Sequence, residues 1–455
     1  MQERIINIIL KPVESLSGRF IKPSNLFLFI SIYFNLFQLM PVYSQSDSLF
    51  YYLEIAAKNN PVVLQKFNEY QAALQKIPQA GSLSDPELSL GAFLSPMELV
   101  NGNQVADIRL MQMFPWFGVL KSAKDEMSLM ANAKFELFRD AKLQVFYDVQ
   151  RTWYELYKVQ KDISISEKNI EILKIIERLA LVKFKAASSM QTGPMGSSSV
   201  NSGLADLYRI QIEVGELENN IALLKNQRNT IKAQFNSYLN RPVAYPVFIP
   251  ETISQDSLGL SLISVSDSML IHNPMLGMLE YEKQSIEARK KMVSRMSYPM
   301  VGLGLNYSLI NKSGMSASSM NGKDMIMPMI TVSLPIYRKK YIAMQNEADL
   351  LKRATSQNYQ ATANSLQTEY YQAVQLYQDA QRRVKLLHNQ YQLASKSLDL
   401  MLKSFGASAS GLTDVLRIHQ QTLDYELKHV EAVADFNTAV AWLKRLGNLK
   451  RDSNK

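Results

Sequence analysis

The chain has 455 residues, of which 47% are hydrophobic and 20% are charged, a balance that excludes a wholly disordered protein. It contains no cysteine, which excludes disulfides, thiol nucleophiles, zinc–thiolate sites and iron–sulfur clusters, and its four histidines leave few residues for catalysis or metal chemistry. The formal net charge of +9 comes from basic residues scattered among acidic ones, which is typical of solvated helix surfaces and not of a nucleic-acid-binding patch.

The first 44 residues have the pattern of a secretory signal peptide. Basic residues precede an apolar run from Leu26 to Met40, and Val42-Tyr43-Ser44 supplies the cleavage site. A retained membrane anchor is the alternative, since the run is nearly long enough to span a bilayer, but Pro41 at its end favours cleavage. We therefore predict a signal peptide over residues 1–44 and an exported mature protein.

The mature sequence repeats one plan twice. Each half opens on an Asn-Pro pair, Asn60-Pro61 or Asn273-Pro274, and continues with a helix, two alternating strands, a proline and a very long helical stretch. A Gly-Leu-x-Asp motif then starts a returning helix, at residues 203–206 and again at 411–414. The extra residues of the first half, Met190 to Ser202, have the low complexity of a flexible loop.

This plan predicts two repeats, residues 45–240 and 268–447, separated by an equatorial linker over 241–267 and followed by a polar tail over 448–455. The first repeat is expected to contain strands at 87–94 and 105–113, a long helix at 117–186 and a return helix at 204–239. The second is expected to contain strands at 299–309 and 325–334, a long helix at 336–404 and a return helix at 412–446.

The long helical stretches have a coiled-coil rhythm. In the second half, apolar residues such as Leu366, Tyr370, Leu387 and Leu398 recur at steps of three and four, which keeps one seam facing a partner helix. About 70 residues of helix extend for about 105 Å, so these rods cannot fold back into a compact globule.

The strands alternate with a period of two. Val301, Leu303 and Leu305 alternate with Met300 and small residues, as in a strand of a membrane barrel, although a half-buried strand of a soluble sheet has the same period. Export and rod-length helices favour the barrel. Four strands cannot close around a lumen, and lipid does not tolerate open sheet edges, so we expect three copies to share one twelve-stranded barrel.

With these features the chain resembles the TolC family of outer-membrane efflux proteins. The resemblance extends from about Leu53 to Gly447 and rests on the duplicated order of Asn-Pro openings, strand–proline–helix junctions and Gly-Leu-x-Asp turns. It implies a mainly α protein with a membrane β-barrel continuous with an α-helical barrel, forming a homotrimeric passive duct in the outer membrane. It also implies a periplasmic adaptor (membrane fusion protein) and an inner-membrane resistance-nodulation-division pump as partners, outer-membrane lipid around the barrel, and no enzymatic activity or cofactor.

Two other classes of protein remain as alternatives. A periplasmic adaptor also has long helical hairpins, but its compact β segments flank a single hairpin, unlike the duplicated strand pairs here. A structural coiled-coil tether of the cell envelope would not need alternating strands.

The two turns are the predicted periplasmic mouth. We expect Gly203, Leu204, Gly411 and Leu412 to dock the adaptor, and the pairs Asp206/Arg209 and Asp414/Arg417 to line the opening. The family pattern has acidic residues at both positions of the second turn, so the arginines put a purely acidic constriction in question. Alternatively, the aspartates stabilise the N-termini of the returning helices and pair with the arginines three residues later.

Methionine clusters in the second strand pair. Alternation places Met300, Met325, Met327 and Met329 on the lumen face, with Met315 and Met320 in the outer loop. Thioether sulfur binds Cu(I) and, by the same softness, Ag(I), which points within the family to the heavy-metal, CusC- or CzcC-like branch. The alternative is that these methionines are adaptable apolar filler.

The histidines do not complete a known catalytic motif. Glu426-x-x-His429 is half of a di-iron site of helical bundles, but His388 has Lys385 three residues before it, so the second Glu-x-x-His is missing. A structural role is therefore expected for each histidine.

Overall fold

The computed structural model describes residues 49–189, 197–407 and 410–448. The predicted signal peptide, residues 190–196 of the predicted loop and residues 449–455 of the predicted tail lie outside the described residues.

The two halves share one order of elements, helix, helix, strand, strand, long helix and shorter helix. The first half contains α1 (Leu49–Asn59), α2 (Pro61–Gly81), β1 (Glu87–Leu99), β2 (Gly102–Phe114), α3 (Val119–Ser189) and α4 (Ser197–Tyr238). The second half contains α5 (Leu262–His272), α6 (Pro274–Met296), β3 (Met300–Asn311), β4 (Met325–Ser333), α7 (Arg338–Gly406) and α8 (Leu412–Leu446). The predicted class, mainly helical with four strands per chain, is confirmed.

The Asn-Pro pairs begin helices α2 and α6. Each asparagine is the N-cap, and its side-chain oxygen accepts hydrogen bonds from backbone N–H groups of the first turn. Pro61 and Pro274 occupy the first helical position, where a missing N–H costs nothing and the fixed φ suits a helix. Both asparagines are buried, so the local signal for each helix start is also part of the packed interior.

In each half, hydrogen bonds join the end of the return helix to the helices that open that half. The side chain of Asn60 donates to the carbonyl of Tyr238 at 2.8 Å, which joins the start of α2 to the end of α4. In the second half, Asn448 donates to the carbonyl of His272 at 3.2 Å, and Ser268 donates to the carbonyl of Gly447 at 2.8 Å. Helices α2 and α4 both pack on α3, α8 packs on α7, and α6 packs on both α3 and α7.

The apolar seam predicted along α7 is buried against neighbouring helices. Its fully covered members are Leu366, Tyr370, Ala380, Val384, Leu387, Ala394, Leu398 and Phe405. At about 25 cal/mol per Å² of apolar surface removed from water, such a row is a main source of stability for a helix of 69 residues.

The four strands form one antiparallel sheet in the order β1-β2-β3-β4. Strand β1 continues to Leu99, five residues beyond its expected end, because a register shift between Ala92 and Met97 accommodates Pro96 within an edge strand. Pro328 suggests a similar irregularity in β4. There, however, the register with β3 is continuous from Met300↔Ser333 to Ser308↔Met325.

Candidate functional site

The ends of four helices meet in one apolar cluster, so the two predicted turns lie at the same end of the helical region. Residues from the C-terminal parts of α3 and α7 and from the N-terminal parts of α4 and α8 share this core. Its buried members are Leu173, Ile176, Ala180, Ile210, Leu398, Phe405, Leu412, Val415 and Leu416.

Polar contacts connect the first return helix to the second at this end. Arg209 on α4 donates to the Thr413 hydroxyl on α8 at 2.9 Å, and Gln420 on α8 donates to the Glu213 carboxylate on α4 at 2.7 Å. Arg417 forms an exposed ion pair with Asp414, three residues earlier, at 3.1 Å. Acidic and basic groups thus alternate here, and the surface is not purely acidic.

The two Gly-Leu-x-Asp motifs differ in structure, although their sequences match. Helix α8 begins at Leu412, with Gly411 as its N-cap and Asp414 in its first turn, where the helix dipole favours a carboxylate. Helix α4 begins at Ser197, so Gly203 and Asp206 lie inside it, and the expected start at residue 204 is wrong. Extending an already nucleated helix through serine and asparagine costs only a few tenths of a kcal/mol per residue, which explains the earlier start.

Two neighbouring effects act on the pKa of Asp206. Partial burial raises it, and the positive charge of Arg209 opposes that shift. Dipole stabilisation at a helix start, expected for both aspartates, therefore applies only to Asp414.

The two turn leucines also differ. Leu204 is 42% exposed, whereas Leu412 is 3% exposed and belongs to the apolar cluster. The prediction that Leu412 offers a docking side chain is therefore wrong, because α8 starts at this residue and its side chain packs into the core. On α4, Leu204 is instead the first of an exposed apolar row with Tyr208 and Ile212, which are 57% and 64% exposed. The spacing of four is visible in the sequence, but this row was missed.

The register of the sheet assigns its side chains to two faces, since residues directly opposite in antiparallel strands share a face. Gly304 lies opposite Met329, Asn306 opposite Met327, and Ser308 opposite Met325, so these methionines are on the face that also carries Met300. Asp107, Arg109, Met111 and Met113 of β2 share this face, because they pair with Ser308, Asn306, Gly304 and Gly302. The alternation of residues within β2 would have predicted that Met111 and Met113 lie on this face, but the sequence analysis did not include them.

The methionines on this face have two environments. The sulfurs of Met111 and Met113 lie 3.2 Å and 2.5 Å from the position that a Cβ would take at Gly302, so both thioethers fill space that glycine leaves. By contrast, Met300, Met325 and Met327 are 40%, 41% and 42% exposed. The second group is the more exposed to a molecule passing over the sheet, whereas Met111, Met113 and Met329 are half-buried.

The opposite face of the sheet is apolar, and the other described residues do not cover it. Its exposed members include Leu88, Leu90, Leu110, Leu303, Leu305, Ile326, Ile330 and Val332. A contiguous apolar surface of this kind marks contact with lipid or with another protein.

Met315 and Met320 lie in the loop between β3 and β4, and both are exposed. Asn321 organises this loop: its side chain accepts from the backbone N–H of Ser313 and donates to the carbonyls of Ser313 and Ser316. Within the ranges that the structure describes, no group of three or more histidine, aspartate or glutamate side chains is placed to hold a metal ion. In the same ranges, no helix combines the length and the apolar character that crossing a membrane requires.

Comparisons with known proteins find similarity in fold but not in sequence. No protein-family model matches the sequence, and no curated protein matches it. Among solved structures, CusC is 12% identical, with 88% of this chain and 91% of that chain covered and a TM-score of 0.69. The open-state MtrE channel of Neisseria gonorrhoeae is 16% identical over 90% and 91%, with a TM-score of 0.69, and VceC of Vibrio cholerae is 14% identical over 88% and 96%, with 0.67.

The chain has the fold of outer-membrane channels. This confirms the TolC-like fold predicted from the duplicated sequence plan. The structure determinations describe MtrE as an outer membrane channel, VceC as an outer membrane protein, and CusC as forming a transmembrane channel.

One buried histidine lies beside the cluster at the helix ends. His419 on α8 has no exposed surface, and neither ring nitrogen has a hydrogen-bond partner among the described residues. Burial lowers the pKa of His419 to about 4.

We predict that His419 destabilises the fold in acid. Between its unfolded pKa of 6.5 and its folded pKa of about 4, the unfolded chain binds more protons, so stability falls as pH falls through this window. Replacement by leucine should remove this dependence. The free energy of unfolding of the variant minus that of the wild type should therefore be about 3 kcal/mol larger at pH 4 than at pH 7. Thermal unfolding followed by circular dichroism measures the difference. His272→Leu, at an exposed site, is the control, and equal pH slopes for His419→Leu and wild type would contradict the prediction.

Proposed function

We propose that this protein is the outer-membrane channel of a tripartite efflux system, a passive duct that receives substrate from a periplasmic adaptor and an inner-membrane pump. The observation that carries the proposal is the sheet, which has an exposed apolar face, a face of small, polar and methionine side chains, and two edges without a partner in the described chain. The fold shared with CusC, MtrE and VceC supports it. A duct of this kind performs no chemistry and requires no cofactor.

The open edges support a homotrimer. Strands β1 and β4 are the outer strands of the sheet, and every unpaired backbone group in lipid costs several kcal/mol. Four strands are too few to surround a lumen, so β1 of one copy is proposed to pair with β4 of the next in a twelve-stranded barrel.

A second apolar row on α7 also supports assembly. Leu386, Leu393 and Leu400 follow each other at intervals of seven and are 56%, 67% and 66% exposed, beside the seam that is already buried. Heptad spacing on an uncovered helix face suits packing against a helix of a neighbouring copy. A periplasmic adaptor or a simple tether, the two alternatives, would not explain both this row and the sheet.

The junction between sheet and helices suits a membrane interface. Trp116 stacks on Tyr298, with ring centres 5.3 Å apart and planes 15° apart, and the neighbouring Phe117 is 88% exposed. Aromatic residues form girdles at both boundaries of membrane barrels. This arrangement would place the apolar sheet face in the outer membrane and the helices in the periplasm.

The helix ends beyond this junction are the proposed periplasmic mouth. Asp414 and Arg417 pair with each other, and Arg209 bonds to Thr413, so the mouth would carry mixed charge and would not select cations by an acidic ring. The exposed row of Leu204, Tyr208 and Ile212 is proposed as the adaptor-docking surface.

Copper or silver ions are the proposed substrate class, because exposed sulfur lies on the face that would line the barrel. Met300, Met325 and Met327 are open there, and trimer assembly would present each of them three times around the axis. Weak sulfur ligands repeated along a path allow a soft ion to bind and to leave.

The protein extracted in detergent is predicted to be a trimer. Native mass measurement should give three chains, because the sheet edges are not satisfied in one copy. Leu393→Asp should weaken the trimer by charging the exposed row, whereas Ile263→Asp, at another exposed apolar residue on α5, should not. A stable wild-type monomer with intact strands would exclude the shared barrel.

Docking is predicted to depend on the apolar row of α4. Changing Tyr208 to Asp should abolish efflux while export and trimer formation continue, because it puts a charge on the contact surface without disturbing the core. Leu223→Asp is a matched control on the same helix, at a residue that is 59% exposed. Full efflux by the Tyr208 variant would remove this row from the docking surface.

Metal tolerance is predicted to depend on exposed sulfur. Leucine has nearly the volume of methionine, so changing Met300, Met315, Met320, Met325, Met327 and Met329 to leucine preserves packing and removes the ligands. A strain that depends on this duct should lose copper and silver tolerance and retain efflux of organic compounds. The control is the pair Met111→Leu and Met113→Leu, whose sulfurs pack over glycines and should not matter. Unchanged tolerance in the six-residue variant would show that these methionines are apolar packing residues and not metal ligands.

A further inference from the structure

Two histidines that are far apart in sequence meet across the second helical hairpin. His388 lies on α7 and His429 on α8, and the centres of their rings are 5.3 Å apart with the planes inclined by 47°. His388 is exposed and His429 is half-buried, so the pair is accessible from the surface of the hairpin. The proposed duct function uses neither residue.

The distance between the rings matches two imidazoles on one metal ion. A metal–nitrogen bond is about 2.0–2.1 Å, and the ring centre lies about 1.2 Å beyond the nitrogen. Two imidazoles therefore have centres about 4.6 Å apart at the 90° angle of tetragonal Cu²⁺ and about 5.2 Å apart at a tetrahedral angle. The observed separation is 5.3 Å. The rings are therefore close enough for both to reach one ion after a change in their orientation.

The surroundings of His388 favour a defined ligand geometry. Its Nε2 atom lies 2.9 Å from the side-chain amide nitrogen of Gln392, one turn later on α7. In this orientation the amide N–H donates to Nε2. Turning the amide by 180° would let its oxygen accept from Nε2–H, which would fix the ring and leave Nδ1 as the ligand atom. Partners of this kind orient metal-binding histidines in proteins.

His429 is in the form that binds metal. His429 is half-buried beside His388, and a neutral imidazole in this position has one ring nitrogen that can act as a ligand. Glu426, one turn earlier on α8, forms a hydrogen bond with Tyr391, and burial raises the pKa of its carboxyl group against the charges of Lys168 and Lys161. Glu426 does not form a three-ligand group with the two histidines.

We propose that His388 and His429 form a two-imidazole site for a divalent transition-metal ion, with water in the remaining coordination positions. Among the common ions Cu²⁺ should bind most tightly, following the Irving–Williams order. The ion would connect α7 to α8 at a point 18 residues, or about 27 Å, before the end of α7 at Gly406. A metal bridge there would stiffen the hairpin that carries the proposed mouth. The site is independent of the methionine path, because it uses imidazole and Cu²⁺ where the path would use thioether and Cu⁺.

The test is Cu²⁺ binding to the purified full-length protein in detergent. Cu²⁺ should raise the melting temperature, and the electron paramagnetic resonance spectrum should show coupling to two imidazole nitrogens. His388→Ala and His429→Ala should each weaken binding at least ten-fold and remove the thermal shift. His272→Ala, at an exposed histidine of α5, is the matched control and should behave as wild type.

The metal-free melting temperature of each variant shows whether it still folds. A measurement on the wild-type protein supplements the variants: Cu²⁺ should protect His388 and His429, but not His272, from acylation by diethyl pyrocarbonate. Equal Cu²⁺ affinity in wild type and in both alanine variants, or no protection of the pair, would overturn the proposal.

Discussion

The ladder between β2 and β3 is the contact on which the rest of the sheet depends, because it joins the two repeats. Its register, with Asp107 opposite Ser308 and Met111 opposite Gly304, decides which side chains share a face. A slip by one residue would exchange the apolar and the polar face. The same ladder leaves β1 and β4 as the outer strands, and these are the edges that the proposed trimer would pair.

The two halves of the duplicated sequence differ in structure at the helix ends. Leu412 packs in the cluster shared by four helices, whereas Leu204 lies on an exposed row of α4. The Arg209–Thr413 bond then connects the two halves across this difference. The leucine of one turn is part of the core, and the leucine of the other is exposed.

On the sheet face that carries Met300 and Met325, methionine side chains fill the space beside glycines. Met111 and Met113 cover Gly302 and Gly304, so the glycines and these two thioethers form one packed layer. The exposed methionines lie mainly in β4, at the edge of the sheet. Packing and transport would therefore use the same residue type in different positions.

The sequence by itself determined the order of elements, the two Asn-Pro helix starts, the buried seam of α7 and the alternation of the strands, because each depends on neighbours within a few residues. Only the tertiary structure decided the rest. The burial of Leu412, the position of Met111 over glycine and the meeting of His388 with His429 depend on where each helix begins and which strands pair. Matching motifs do not contain this information, since the same local sequence can pack inward in one copy and remain exposed in the other.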